Sequence, residues 1–501
     1  MSKLNKDILF LIFEELHYSS KILFSFLTVN KLWCETVIPI LWRRPWHYAI
    51  NYCNKNSLYS IITSYLPNNV KEFLTKGGIQ ISYQTLAFDY LFFCRSIDVK
   101  IIDEIISIGS STGYNLFLLQ EEIYSLLIKK CQRIKYLYIY NTNETIVYHP
   151  DAKVQLESLC ELICDTSIKP EYFYKLAHVC QRIQSIIVIN KSLEVNHGIT
   201  KLVEFQKNLK CFKWLDDIYK EYYMYQLKLE DPYTEIFNIL KKHGNTLNEF
   251  VISLQFDYGD SVDNENIYNI YNAYDYTFLQ YTLLELHNLK LIDTYSPIFL
   301  KNDDFNKKLE MIAYDNLEIL DLERMDIYQA TCIMKNSSNL RELWIREYYW
   351  DNDKFNDDTL NFIRTIYENC ILIEYLAIPV FPLLESHLIE FEKLLKKCQK
   401  LRSLDFKGTY CDEDNELEYG DYLANVITRE ASKDLRDIDI PYNIKFSLEA
   451  LETFLEKWKG RPAISINIEE PYSYESDDSF DSYKKIIDKY KNEGVIKLMN
   501  I

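Results

Sequence analysis

Enzymes place their chemistry in histidines, cysteines, carboxylates and glycine-rich loops held at fixed spacing. The eight histidines of this chain are scattered. His17, His178 and His243 fall near the ends of expected helices, where capping is commoner than proton transfer. Twelve cysteines run from Cys34 to Cys411 with no Cys-x-x-Cys pair. The closest two, Cys160 and Cys164, have no second pair or histidine cluster beside them to complete a zinc site. The chain has no glycine-rich phosphate loop, no Gly-x-Ser-x-Gly elbow and no His-Glu-x-x-His. Carboxylates abound, but spacing alone nominates no pair for acid–base work. The acidic stretch Asp351–Asp358 lacks the glycine and the terminal glutamate of a calcium loop. The sequence therefore predicts no catalytic residue, no metal and no cofactor. Its abundant large apolar side chains point to recognition instead.

Those side chains are dense at the start of the chain. Leu4, Ile8, Ile12 and Leu16 recur at i, i+4 spacing with Leu9 and Phe13 beside them, which is the period of an amphipathic helix. Asn5 suits the N-cap and Asp7 the first turn. Ser19 and Ser20 open a second expected helix that runs through Leu27. A third is expected from Asn30 to Ile38, with Pro39 stopping it. Three such short helices cannot turn every large side chain inward, so part of their apolar surface awaits a partner.

From about residue 126 a different pattern takes over. An apolar triplet recurs with the spacing Leu-x-x-Leu-x-Leu. It reads Ile134/Leu137/Ile139, Ile183/Ile186/Val188, Leu209/Phe212/Trp214, Leu247/Phe250/Ile252 and Leu286/Leu289/Leu291. It continues as Leu317/Leu320/Leu322, Leu340/Leu343/Ile345, Ile373/Leu376/Ile378, Leu401/Leu404/Phe406 and Leu435/Ile438/Ile440, with Ile464/Ile466/Ile468 as a terminal strand. The last two positions of each triplet share one face of a strand. Helical patterns such as Leu383–Lys396 and Leu448–Trp458 lie between triplets. Several units open alike, with Cys131-Gln132-Arg133, Cys180-Gln181-Arg182 and Cys398-Gln399-Lys400.

One strand and one helix per unit, repeated, predicts an α/β solenoid whose stacked units bury a continuous core. The expected organisation is a helical module over 1–45, a helical linker or degenerate first repeats over 46–125, a curved, irregular solenoid over 126–468, and an acidic loop with a capping helix over 469–501. Leu320, Leu343, Leu376 and Leu404 should share the core. The residue between the last two apolar positions should face away from it. Tyr138, Lys213, Lys290, Asp321, Trp344, Asp405 and Asp439 occupy that place, with Arg346 beside them. Tyr138, Asp321, Trp344, Arg346, Asp405 and Asp439 are the candidate substrate-binding residues.

The N-terminal module resembles the F-box. That family's pattern has a leucine entering the first helix, an Ile-Phe pair followed three residues later by Leu, a Val-x-(Lys/Arg)-x-Trp element and a closing Leu-Trp. Here these are Leu4, Ile12-Phe13 with Leu16, Val29-Asn30-Lys31-Leu32-Trp33, and Leu41-Trp42. The family usually has Pro after the first Leu; this chain has Asn5, which can cap the helix that Pro would pre-set. Repeats after an F-box are also a usual family architecture, so the resemblance implies a leucine-rich-repeat-like array. It further implies an SCF-type ubiquitin ligase, in which the module docks on a Skp-type adaptor, and through it a cullin, while the repeats hold an unidentified substrate protein. Leu4, Ile8, Ile12, Val29 and Trp33 are the adaptor-binding residues it suggests. The alternative is a repeat scaffold with no link to ubiquitin, in which the three helices cap the array.

Composition narrows the partners. A net charge of −18 over 501 residues argues against nucleic acid and against an anionic membrane surface. No apolar run approaches the ~20 residues of a membrane span. The early run Ile8–Phe13 is ended by Glu14 and Glu15, unlike a signal peptide. Buried free thiols suit a reducing compartment, so the expected location is cytosol or nucleus.

Overall fold

The computed structural model describes residues 5–48, 52–110, 113–140, 145–191, 194–217, 233–254, 277–295, 302–349, 354–408, 416–441, 444–468 and 480–499. It comprises two compact units, Met1–Leu240 and Lys241–Ile501.

The first unit opens with helices α1 (Lys6–Glu15), α2 (Ser20–Phe26) and α3 (Lys31–Leu41). The Asn5 side chain accepts a hydrogen bond from the Asp7 amide, and Asn30 accepts one from the Trp33 amide, so both caps come from asparagine. Leu9, Phe13, Leu23, Val37, Ile40 and Leu41 form a small core. Pro39 does not stop α3, contrary to the sequence expectation. It lies within the last turn, where it forfeits one hydrogen bond, and the amide of Trp42 still reaches the Ile38 carbonyl at 2.9 Å. Burial of Ile40 and Leu41 holds that turn in place.

Five parallel strands follow among the described residues of this unit: β1 (Ser96–Asp98), β2 (Tyr136–Ile139), β3 (Glu161–Asp165), β4 (Ser185–Asn190) and β5 (Cys211–Asp216). Each pairs with the next in chain order, and Ile97, Leu137, Leu162, Ile186 and Phe212 align across them, all fully buried. Helices Pro170–Val179 and His197–Glu204 lie between strands and pack on each other. Their approach is close enough that a Cβ on Gly198 would clash with the Pro170 carbonyl.

The described residues of the second unit form nine more: β6 (Glu249–Ser253), β7 (Leu291–Thr294), β8 (Ile319–Asp326), β9 (Glu342–Tyr349), β10 (Tyr375–Pro379), β11 (Ser403–Lys407), β12 (Asp437–Ile440), β13 (Ile464–Ile468) and β14 (Ile496–Met499). The aligned core row runs Phe250, Ile292, Leu320, Leu343, Leu376, Leu404, Ile438 and Ile466. Leu320, Leu343, Leu376 and Leu404 are thus the shared core that the triplets predicted. Consecutive parallel strands joined through helices place those helices on one face of a sheet. Each unit is accordingly a stack of strand–helix repeats, an α/β solenoid-like fold.

The strands reach beyond the 126–468 limits drawn from sequence, with β1 before them and β14 after. The first of these, Cys94/Ile97/Val99, lies in the span expected to hold degenerate first repeats, and a weak triplet, Leu159/Leu162/Cys164, marks a repeat that the spacing alone does not show; all six residues are buried. The triplet Leu286/Leu289/Leu291 expected from sequence is out of register with the strand. The strand pairing aligns Ile292, not Leu291, with Leu320, so that triplet is Leu289/Ile292/Thr294. Since side chains alternate faces, this slip exchanges Lys290 for Asp293 as the outward residue.

Buried cysteines close several of the helices that lead into strands, those of the repeated openings among them. Cys180, Cys370 and Cys398 terminate the helices before β4, β10 and β11, and Cys131 takes the equivalent place before β2. All four are buried. Burial pushes the Cys180, Cys370 and Cys398 thiols up to about 12, so they stay protonated and inert.

Candidate functional site

Helix α1 is apolar on two sides. Leu9 and Phe13, four residues apart, enter the core, and Phe13 stacks on Phe26 at 4.6 Å. Ile8, Leu11 and Ile12 follow the i, i+3, i+4 rule on the opposite side. They are 48%, 65% and 43% exposed, and Val29 just before α3 is 52% exposed. Ile22, Phe24 and Leu32 also lie open. Trp33 turns inward, packing against Phe13 at 5.2 Å and edge-on to Phe26 at 4.9 Å. Leu4 lies outside the described residues. Leu11 was not among the residues singled out from sequence, although its position three after Ile8 would have found it.

The module's other end is fastened to the first repeat. Arg43 forms a two-pronged ion pair with Glu14, and its carbonyl accepts the Arg95 amide at 3.0 Å. The Trp46 indole donates to the Ser96 carbonyl at 2.9 Å, and Trp42 packs on Tyr90. The segment that closes the helical module is therefore hydrogen-bonded against β1, while the outer side of α1 stays uncovered.

The outward row of the second unit forms the other candidate surface. Asp293, Asp321 and Trp344 are cross-strand neighbours, as are Ala377, Asp405, Asp439 and Asn467. Trp344, 37% exposed, stacks on Tyr375 with centroids 3.2 Å apart and donates its indole N–H to Glu342. Arg346 is exposed, lies over the Tyr295 ring and donates to its hydroxyl at 2.6 Å. Burial raises the Asp321 carboxyl, and the Arg346 charge opposes that rise.

Two of the proposed contact residues are not on the open surface. Asp405 is only 6% exposed: one carboxylate oxygen accepts from the Tyr375 hydroxyl at 2.7 Å, and the other lies 3.2 Å from the Lys407 ammonium. Burial pushes its pKa up to about 6 despite Lys407. Tyr138 is likewise buried, donating to Glu161 at 2.8 Å. In both cases a large neighbouring aromatic or charged side chain covers a strand position that alternation alone leaves facing out. Asp439 is half-buried and accepts from Asn467.

One chemically rich cluster in the first unit serves structure. Asp216 accepts from Asn190, Trp214 and Tyr233, while Asn190 accepts from Thr166. These donors and acceptors consume one another, as a buried polar network must. Among the described residues no group of three or more His, Cys, Asp and Glu could hold a metal ion, and no helix is long and apolar enough to cross a membrane.

The chain matches no protein-family model and no curated protein. Among solved structures it is similar to a chain of one described as the crystal structure of the Rad7 and Elc1 complex in yeast. The identity is 13% over 94% of this chain and 95% of that one, with a TM-score of 0.39. A likeness so distant carries no argument, and the repeat fold stands on the strand register described above.

Proposed function

We propose that this chain is a non-catalytic substrate receptor of an SCF-type ubiquitin ligase. Its helical module would dock on a Skp-type adaptor, which bridges to a cullin, and its repeats would hold the substrate protein. Such a receptor works by raising the substrate's effective concentration beside the ubiquitin-charged enzyme, in cytosol or nucleus. The observation that carries the reading is the double-sided α1. A helix that only capped the array would turn Ile8 and Ile12 inward and carry polar residues outside. Here a contiguous apolar row stays open while a separate set of residues fills the core, as a docking helix requires. The order of the F-box-like residues supports the same reading.

The deciding experiment is calorimetry of the purified full-length chain against a Skp-type adaptor. Binding that is lost on changing the outer α1 residues sustains the proposal. An intact, folded chain with no adaptor affinity overturns it and leaves a protein-interaction scaffold.

A further inference from the structure

The strands of the second unit carry two rows of charge that differ in kind. In the residue just before each strand the signs alternate and neutralise one another: Lys290 pairs with Glu318 at 2.9 Å, and Glu374 takes Arg341 and Arg402 at 3.2 Å each. Three residues further along lies the outward row, Asp293, Asp321, Trp344, Ala377, Asp405 and Asp439, with an aspartate pair on either side of Trp344 and Ala377 and no cation. Like charges on neighbouring strands destabilise a sheet. Burial, opposed by Lys407 and reinforced by the charge of Asp439, holds the Asp405 carboxyl at about 6. Glu323, Glu342 and Asp437 lie on the same face by strand alternation, so its carboxylates outnumber Arg346 and Lys407. Folding gains nothing from such a row, and a bound cation would offset it.

Trp344 is the open residue of this row, 37% exposed, and its indole stacks on Tyr375. Two positions along the same strand, Arg346 already lies over the Tyr295 ring, 4.4 Å from its centre. The face thus seats a cation on one of its aromatic rings, while among the described residues none lies over Trp344. We propose that this face binds a basic, extended segment of the substrate protein, with arginine or lysine side chains meeting Asp321 and Asp439 and another lying on the Trp344 indole. Asp321 and Asp439 are half-buried and stand four strands apart, about 19 Å, the reach of about six extended residues. Asp405 between them is covered by Tyr375 and contributes charge rather than contact. The assignment rests on the receptor reading above and deepens it by naming the chemical class of the substrate.

The test uses the full chain and two fluorescein-labelled pools of degenerate peptides, one with arginine fixed at two positions about six residues apart and one with glutamine there. By fluorescence anisotropy at physiological salt, the arginine pool should bind at least roughly tenfold more tightly. Asp321→Asn with Asp439→Asn keeps the shape of both side chains and should cost roughly tenfold, and Trp344→Ala about fivefold or more. Because the whole chain is acidic, Glu385→Gln with Glu449→Gln serves as the control: it removes the same charge from exposed helix positions and should change binding less than about twofold. All variants are compared at equal folded concentration, verified by thermal melting. Equal affinity for the two pools, or an equal loss from the strand and helix variants, overturns the proposal. Displacement by spermine at the peptides' own concentration overturns the assignment to a protein segment. The assay contains no adaptor, so docking of the helical module stands or falls separately.

Discussion

Tyr375 on β10 donates its hydroxyl to Asp405 on β11 at 2.7 Å, inside a sheet face where both residues are largely covered. Burial raises the Asp405 pKa from 3.8 to about 6. The folded state thus holds its proton more tightly than the unfolded chain. The associated stability is fully present below about pH 4 and is lost as pH rises through about 6, on the order of 2–3 kcal/mol at most. Asp405→Asn should remove that component. Urea unfolding at pH 4.5 and pH 7 should show a smaller difference between the two pH values in the variant than in the parent. An unchanged difference would mean that Asp405 is ionised in both states.

The aligned leucines make a second prediction. Leu376 sits fully buried between Leu343 and Leu404. Leu376→Ala should destabilise the second unit by about 2–5 kcal/mol, through lost transfer energy and the cavity left behind. Denaturant titration followed by circular dichroism reads this directly. A loss below about 1 kcal/mol would contradict a close-packed row at this position.

Trp344 should behave differently. It is partly exposed and packs on a single ring, so Trp344→Ala should cost only about 0.5–1.5 kcal/mol of stability. Aromatic residues of this kind are frequent anchors in interfaces. If the strand face of the second unit holds the substrate, partner proteins recovered with the intact chain should be depleted with this variant at equal folded concentration. Full recovery would remove this face from consideration.

The outer side of α1 gives the fourth. Ile8→Ala together with Ile12→Ala should weaken adaptor binding roughly ten- to a thousand-fold, at ~1–2 kcal/mol for each interface side chain. Both residues lie outside the small core, so the melting temperature should barely change. Leu9→Ala is the contrast: it opens the core and should lower the stability of the module itself. Equal adaptor affinity for the double variant and its parent would place docking elsewhere.

Much of this organisation was written in the order of residues. The period of Leu317, Leu320 and Leu322, repeated unit after unit, is a direct imprint of strand geometry, and so it named the buried row at Leu320, Leu343, Leu376 and Leu404 without coordinates. The spacing of Ile8, Leu9, Ile12 and Phe13 likewise announced an N-terminal helix with more apolar surface than one face can hold. Three things required tertiary structure. The choice between Leu291 and Ile292 depended on pairing with Leu320, because both are apolar and only the neighbouring strand fixes register. The weak triplet Leu159/Leu162/Cys164 became a repeat only where adjacent strands supplied the missing partners, and the same pairing decided that Ile97 belongs to a strand of the array. The covering of Asp405 by Tyr375 joins residues from different repeats. Local spacing determines which way a side chain points; what waits there is decided by the chain that stacks beside it.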